Sequence, residues 1–146
     1  MKWIKFTALA TLFLAVFVAS IGANVLIHEA SHYAVAEAYS FNPQMNFAAT
    51  GMSTSTLYSA DSNIAYITYY SDSTEITPED SVIAVAGPLA NLAIGSFALL
   101  FYFSPKRSNV AKMLLMLVIV TSFVSFGINI LPFEPSDGYY VWHALV

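Results

Sequence analysis

Three long apolar runs organise this chain. The first begins at Trp3 and, read as a helix, continues to Tyr39. The second is Val82–Phe103, "VIAVAGPLANLAIGSFALLFYF", and the third is Val110–Leu131, "VAKMLLMLVIVTSFVSFGINIL". Each meets the length of about 20 mostly apolar residues that a helix needs to cross the hydrocarbon core of a bilayer. A short apolar and aromatic tail, Tyr139–Val146, follows and predicts a shorter C-terminal helix. Residues 40–81 break the pattern. There "FNPQMNFAATGMSTSTLYS" and "NIAYITYYS" are rich in Thr, Tyr, Ile and Phe, with interruptions at Asn42-Pro43, Gly51 and Asp61-Ser62-Asn63. Runs of this kind between turn formers predict two or three short strands, hence a small hairpin or sheet between the first two spans. The expected fold is mainly α: one polytopic membrane domain over residues 1–146.

Composition supports that reading. The chain is 58% hydrophobic and 10% charged, against roughly 25% charged residues in soluble domains. It contains no cysteine, which excludes disulfides and thiolate metal sites and leaves His, Asp and Glu as the available ligands. A net charge of −4 argues against nucleic acid as a partner, because phosphate binding needs clustered Lys and Arg. The opening "MKWIKFTALATLFLAVFVASIGA" has the basic start, apolar centre and small residues of a secretory signal. Apolar character continues through Val25–Ile27, however, so an uncleaved helix is expected.

Charge also suggests how the chain lies. The five Lys/Arg residues are Lys2, Lys5, Lys106, Arg107 and Lys112, and the segment between the first two spans carries Asp61, Asp72, Glu75, Glu79 and Asp80 instead. With three spans both basic clusters fall on one side, which the positive-inside rule makes cytoplasmic. Residues 28–32, 87–91 and 129–137 then share the other half of the membrane. From Lys5 to His28 is 23 residues, about 35 Å of helix. A straight helix would bring the histidines near the far interface; tilt, or a bend near Gly22 and Asn24, would hold them deeper.

The first run carries one costly feature, "VLIHEASHYAV" at 25–35. Ionisable groups within a span usually mark function. His28 and His32, four residues apart, share one helix face and can grip one ion, with Glu29 beside them as a general base on water. This is the zinc-hydrolase arrangement His-Glu-x-x-His. A catalytic zinc takes three protein ligands, so a third must come from elsewhere. Candidates are Asp137, His143, Glu134 and the acidic loop residues. Asp137 stands out because it follows the helix-breaking run from Asn129, with Pro132, Pro135 and Gly138 around it. A carboxylate also offsets the ion's charge better than a third imidazole.

Three blocks in order, "HEASH" at 28–32, "AGPLAN" at 86–91 and "NILPFEPSDG" at 129–138, resemble the site-2 protease family of intramembrane zinc metalloproteases. The third fits that family's pattern Asn-x-x-Pro-x-x-x-x-Asp-Gly. The resemblance implies that His28, His32 and Asp137 hold zinc, that Glu29 activates water for peptide hydrolysis, and that Asn129 stabilises an oxyanion. A side-chain amide can do so by donating to developing negative charge. It implies a membrane-protein substrate cut in or near its transmembrane segment, and a small sheet beside the site. An exposed strand there serves either to pair with unwound substrate by β-addition or to cap the bundle. Ser31 stands where the family often has glycine. The chain begins with its His-Glu-x-x-His helix, whereas related enzymes commonly carry a helix before it. It ends eight residues after Gly138, so a further membrane subunit or oligomer completing the bundle is among the expected partners. Thr121, Ser125 and Asn129 form a polar stripe on the third run, serving water entry or packing. Gly87, Asn91 and Gly95 form a small-or-polar face on the second, where close packing accounts for the glycines and Asn91 reads as structural or substrate-orienting. The alternative function is a non-catalytic membrane binding or chaperone-like protein of the same fold.

Overall fold

The computed structural model describes residues 2–47, 65–69 and 76–145. Helix α1 runs Lys2–Ala38 without interruption, as befits a stretch with no proline before Pro43. Its 37 residues make about 55 Å of helix, well over the ~30 Å hydrocarbon core. It ends where Ser40 and Asn42 take left-handed backbone angles, φ 61° and 47°, and Phe41 N–H closes back on Ala36 O.

Helix α2, Pro78–Tyr102, starts four residues before the apolar run because its stop and start signals lie in polar sequence. Thr77 caps it: its hydroxyl accepts from Asp80 N–H at 3.2 Å, and the Asp80 carboxylate accepts from Thr77 N–H at 2.8 Å. Pro78 suits the first helical position, where a missing N–H costs nothing. Helix α3, Asn109–Asn129, is capped by Ser108, and the short link from Phe103 to Ser108 makes α2 and α3 antiparallel neighbours. Helix α4 is Asp137–His143. Strands β1, Gln44–Phe47, and β2, Ala65–Thr68, pair antiparallel with Gln44 opposite Thr68 and Phe47 opposite Ala65. Gly51, Asp61-Ser62-Asn63 and any third strand of the 40–81 segment lie outside the described residues.

Three of these helices, over Phe6–Ala38, Pro78–Tyr102 and Asn109–Asn129, are long and apolar enough to cross a membrane. Their large apolar side chains point outward, Phe97, Leu100, Val120 and Val124 among them, as expected when lipid rather than water is the surrounding solvent. The interior holds small and polar residues instead: Ala84, Gly87, Asn91, Gly95 and Ala98 on α2 are all buried. Small side chains let helix backbones approach closely in lipid, where van der Waals contact and hydrogen bonds replace the hydrophobic drive. Gly95 faces Ser122 and Phe123 of α3 in this way.

The sheet is anchored from both ends. Its flanking rings stack in series, Tyr39 on Phe41 and Phe41 on Tyr69, with centroids 5.9 and 5.7 Å apart. The Tyr69 hydroxyl then donates to Asp80 Oδ1 at 2.7 Å, tying the strand end to the α2 cap. Burial, together with this bond to a carboxylate, pushes the Tyr69 phenol above its ordinary pKa.

Candidate metal centre

On α1 the buried residues recur every fourth position: Ser20, Asn24, His28, His32 and Ala36. That spacing keeps them on one helical face, which turns inward against α2 and α3. The lower pair secures α3. Ser20 Oγ lies 2.6 Å from Thr121 Oγ1, and Asn24 Nδ2 donates to Ser20 O at 2.8 Å and to Thr121 Oγ1 at 3.3 Å. The upper pair, His28 and His32, is 7% and 5% exposed, so these imidazoles are taken from solvent and must find partners.

They find them on three sides. His32 Nδ1 is 2.6 Å from Ile83 O of α2. A carbonyl only accepts, so Nδ1 carries the proton and Nε2 is left with its lone pair. His28 Nδ1 is 3.0 Å from Asn91 Nδ2, also on α2. The two Nε2 atoms face each other at 3.0 Å, with the rings nearly perpendicular at 83°. Asp137, at the start of α4, closes the group. Its Oδ2 is 2.9 Å from His28 Nε2 and its Oδ1 3.4 Å from His32 Nε2.

Local sequence explains how Asp137 arrives there. After α3 the chain turns through Leu131–Ser136, and the Ser136 hydroxyl donates to Leu131 O and, at 2.6 Å, to Phe133 O. Gly138 packs directly on the Ile130 and Leu131 backbone, where a Cβ would collide with their carbonyl groups. Trp142 Nε1 donates to Ile130 O at 3.0 Å, fastening α4 to the end of α3. The turn thus points a carboxylate back toward α1.

The donor set fits a divalent cation. His28, His32 and Asp137 each offer a ligand atom, all within 4.8 Å of one another. Ligands at 2.0–2.1 Å around a tetrahedral zinc stand roughly 3.3 Å apart, and the separations of 3.0, 2.9 and 3.4 Å bracket that spacing. Space is kept for it by Gly87. A Cβ there would stand 2.7 Å from His28 Nε2 and touch His32 Nε2, so the absent side chain leaves room beside both Nε2 atoms. Glu29 is half-buried on the adjoining face, near enough to interact electrostatically with His32, His28 and Asp137.

The other sequence candidates go elsewhere. His143 is exposed, its Nδ1 2.8 Å from Tyr139 O and its ring 3.9 Å from the Tyr139 ring. Glu134 is exposed, Asp80 serves the α2 cap, and Asp61, Asp72 and Glu75 lie outside the described residues. Asn129 Nδ2 donates to Ser125 O at 3.0 Å and lies 3.4 Å from Ser125 Oγ. Its amide therefore faces its own helix. Ser125 Oγ in turn is 2.6 Å from Asn91 Nδ2, so Asn129 connects to His28 only through Ser125 and Asn91 among the described contacts. Of the polar stripe on α3, Thr121 is accordingly spent on α1, Ser125 on α2 and Asn129 on Ser125 of its own helix.

Asn91, expected to be structural or substrate-orienting, is fully buried with its amide against His28. A lone asparagine on an apolar helix, one turn beyond Gly87, was a visible signal, but nothing in the sequence shows which side chain lies across from it. No family model, curated protein or solved structure matches the chain.

Proposed function

We propose that this protein is an intramembrane zinc metalloendopeptidase of the site-2 protease kind, a multi-pass enzyme that hydrolyses a peptide bond in or near a transmembrane segment of a membrane protein. One observation carries the reading: two histidines of α1 and an aspartate 105 positions beyond His32 converge at ligand spacing on buried ground next to a glutamate.

His28, His32 and Asp137 would hold the ion. Zinc, when bound, supplies a Lewis acid that makes water a nucleophile near neutral pH and polarises a carbonyl. Glu29 takes the proton from the attacking water and passes it to the leaving amine, the work of a general base turned general acid. Its half-buried place next to both imidazoles limits competing solvent. Ile83 O fixes His32 by its Nδ1–H, leaving Nε2 free to ligate. The strands of the sheet each keep one edge unpaired among the described residues, and such an edge can receive a substrate segment that has left its helix.

The test is the Glu29→Gln variant, incubated in detergent or liposomes with single-pass membrane substrates and assayed for bound zinc. Retained zinc with lost cleavage supports the reading. Cleavage equal to wild type removes Glu29 as the base.

A further inference from the structure

Ion ligation by His28 through Nε2 has a requirement on the far side of its ring. A neutral imidazole bears one proton, and when Nε2 gives its lone pair to an ion that proton must sit on Nδ1. The group facing Nδ1 must then accept. For His32 the acceptor is the Ile83 carbonyl, a backbone atom that can do nothing else. For His28 the group is Asn91, whose amide stands 3.0 Å away.

Asn91 is fully buried, at 0% exposure, and its Oδ1 has no hydrogen-bond partner among the described residues. A half-turn about its last side-chain bond exchanges NH₂ and C=O within nearly the same outline. With the oxygen turned to His28, one donor chain runs through the bundle without conflict: Asn129 N–H to Ser125 Oγ, Ser125 O–H to Asn91 O, and His28 Nδ1–H to the same oxygen. The half-turn moves the unpartnered atom from oxygen to nitrogen rather than removing it. The proton on His28 Nδ1 is therefore what selects the orientation.

We infer that Asn91 is a positioning residue for the metal centre, whose side-chain oxygen accepts the His28 Nδ1–H bond and so fixes the tautomer and ring angle that let Nε2 ligate, with Ser125 holding the amide in place. This inference rests on the proposed metal reading and assigns Asn91 no contact with substrate. Outer partners of ligating histidines typically affect metal affinity about 10- to 100-fold.

The experiment measures zinc affinity by chelator competition, and the absorption spectrum with cobalt, on full-length protein in detergent. Wild type is compared with Asn91→Leu, which can neither donate nor accept, and Asn91→Asp, which can only accept. Helicity by circular dichroism is followed for each. The expected result is a loss of about 10- to 100-fold for Asn91→Leu, affinity within a few-fold of wild type for Asn91→Asp, and an altered cobalt spectrum for the leucine variant alone. Affinity unchanged in Asn91→Leu overturns the inference, and so does an Asn91→Asp loss as large as that of leucine. Should the leucine variant not fold, the aspartate comparison still decides, joined by ¹⁵N-histidine NMR of the zinc-loaded wild type: a proton on His28 Nδ1 is expected, and a bare Nδ1 overturns the inference. A wild-type chain that takes up no zinc defeats the metal reading itself, an outcome distinct from zinc binding that ignores residue 91.

Discussion

Gly87→Ala adds a single methyl group at the closest approach of α2 to the two imidazoles. The new Cβ would stand 2.7 Å from both His28 Cε1 and His28 Nε2, and closer still to His32 Nε2, where ordinary contact begins at 3.4 Å. Either the imidazoles or the helix must therefore move by about 0.7 Å or more. Zinc coordination tolerates departures of roughly 0.2 Å in ligand distance, so a shift of this size is expected to weaken zinc binding by about 100-fold, the upper end of what outer changes produce. Two other glycines calibrate the effect. At Gly95 an added Cβ meets Ser122 Cβ at 3.2 Å and Phe123 ring carbons at 3.3 Å, which asks only a few tenths of an ångström from its neighbours. At Gly22 it meets nothing within 4 Å, and alanine is the better helix former by about 1 kcal/mol. Zinc affinity by chelator competition and thermal unfolding in detergent should separate the three. Gly22→Ala keeps both properties or gains stability. Gly95→Ala keeps its zinc affinity and loses at most about 2 kcal/mol of stability, the overpacking cost less the helix gain of about 1 kcal/mol. Gly87→Ala loses zinc. Equal zinc affinity in Gly87→Ala and Gly22→Ala would refute the idea that glycine clears the space beside the ligating nitrogens.

Other changes separate chemistry from architecture. Glu29→Gln should slow peptide hydrolysis by about 10²- to 10⁴-fold, the usual share of a general base, with zinc content unchanged by metal analysis; loss of zinc alongside activity would make Glu29 a structural rather than a catalytic group. Tyr69→Phe removes the hydroxyl that donates to Asp80 Oδ1. It should lower stability by about 1.5–3 kcal/mol, as expected for a bond to a charged acceptor, seen as a lower unfolding temperature in detergent with zinc affinity intact. An unchanged unfolding temperature would show that the stacked rings alone hold the sheet to α2.

The helices were the most legible part of this chain, because in lipid both the length and the apolar character of a span are read directly from composition. Their ends were less so. The α2 start at Pro78 lay in "TPED", whose Thr and Asp form the capping box, yet the apolar run alone begins at Val82. Of the site, the four-residue spacing of His28 and His32 is a property of one helix, and the proline-rich break before Asp137 marks where irregular backbone can carry a side chain inward. These three residues could be named as a group before any fold was known. What lies between helices could not. Gly87 looked like a packing glycine, and it is one, but its packing partners are the imidazoles themselves. Asn91 and Ser125 sit 34 positions apart with no local pattern linking them to His28. Asn129 matched a family pattern, while the fold commits its amide to Ser125. Contacts set by the rotation of one helix against another have no signature within either helix.

Zinc content of the purified full-length protein, set against the His28→Ala and Asp137→Ala variants under the same buffer and metal load, decides whether α1 and α4 share an ion. About one zinc per chain in the wild type and little in either variant is the expected result, since a catalytic site takes three protein ligands. A wild-type chain without zinc, or an Asp137→Ala variant that binds it as tightly as wild type, would contradict the joint site.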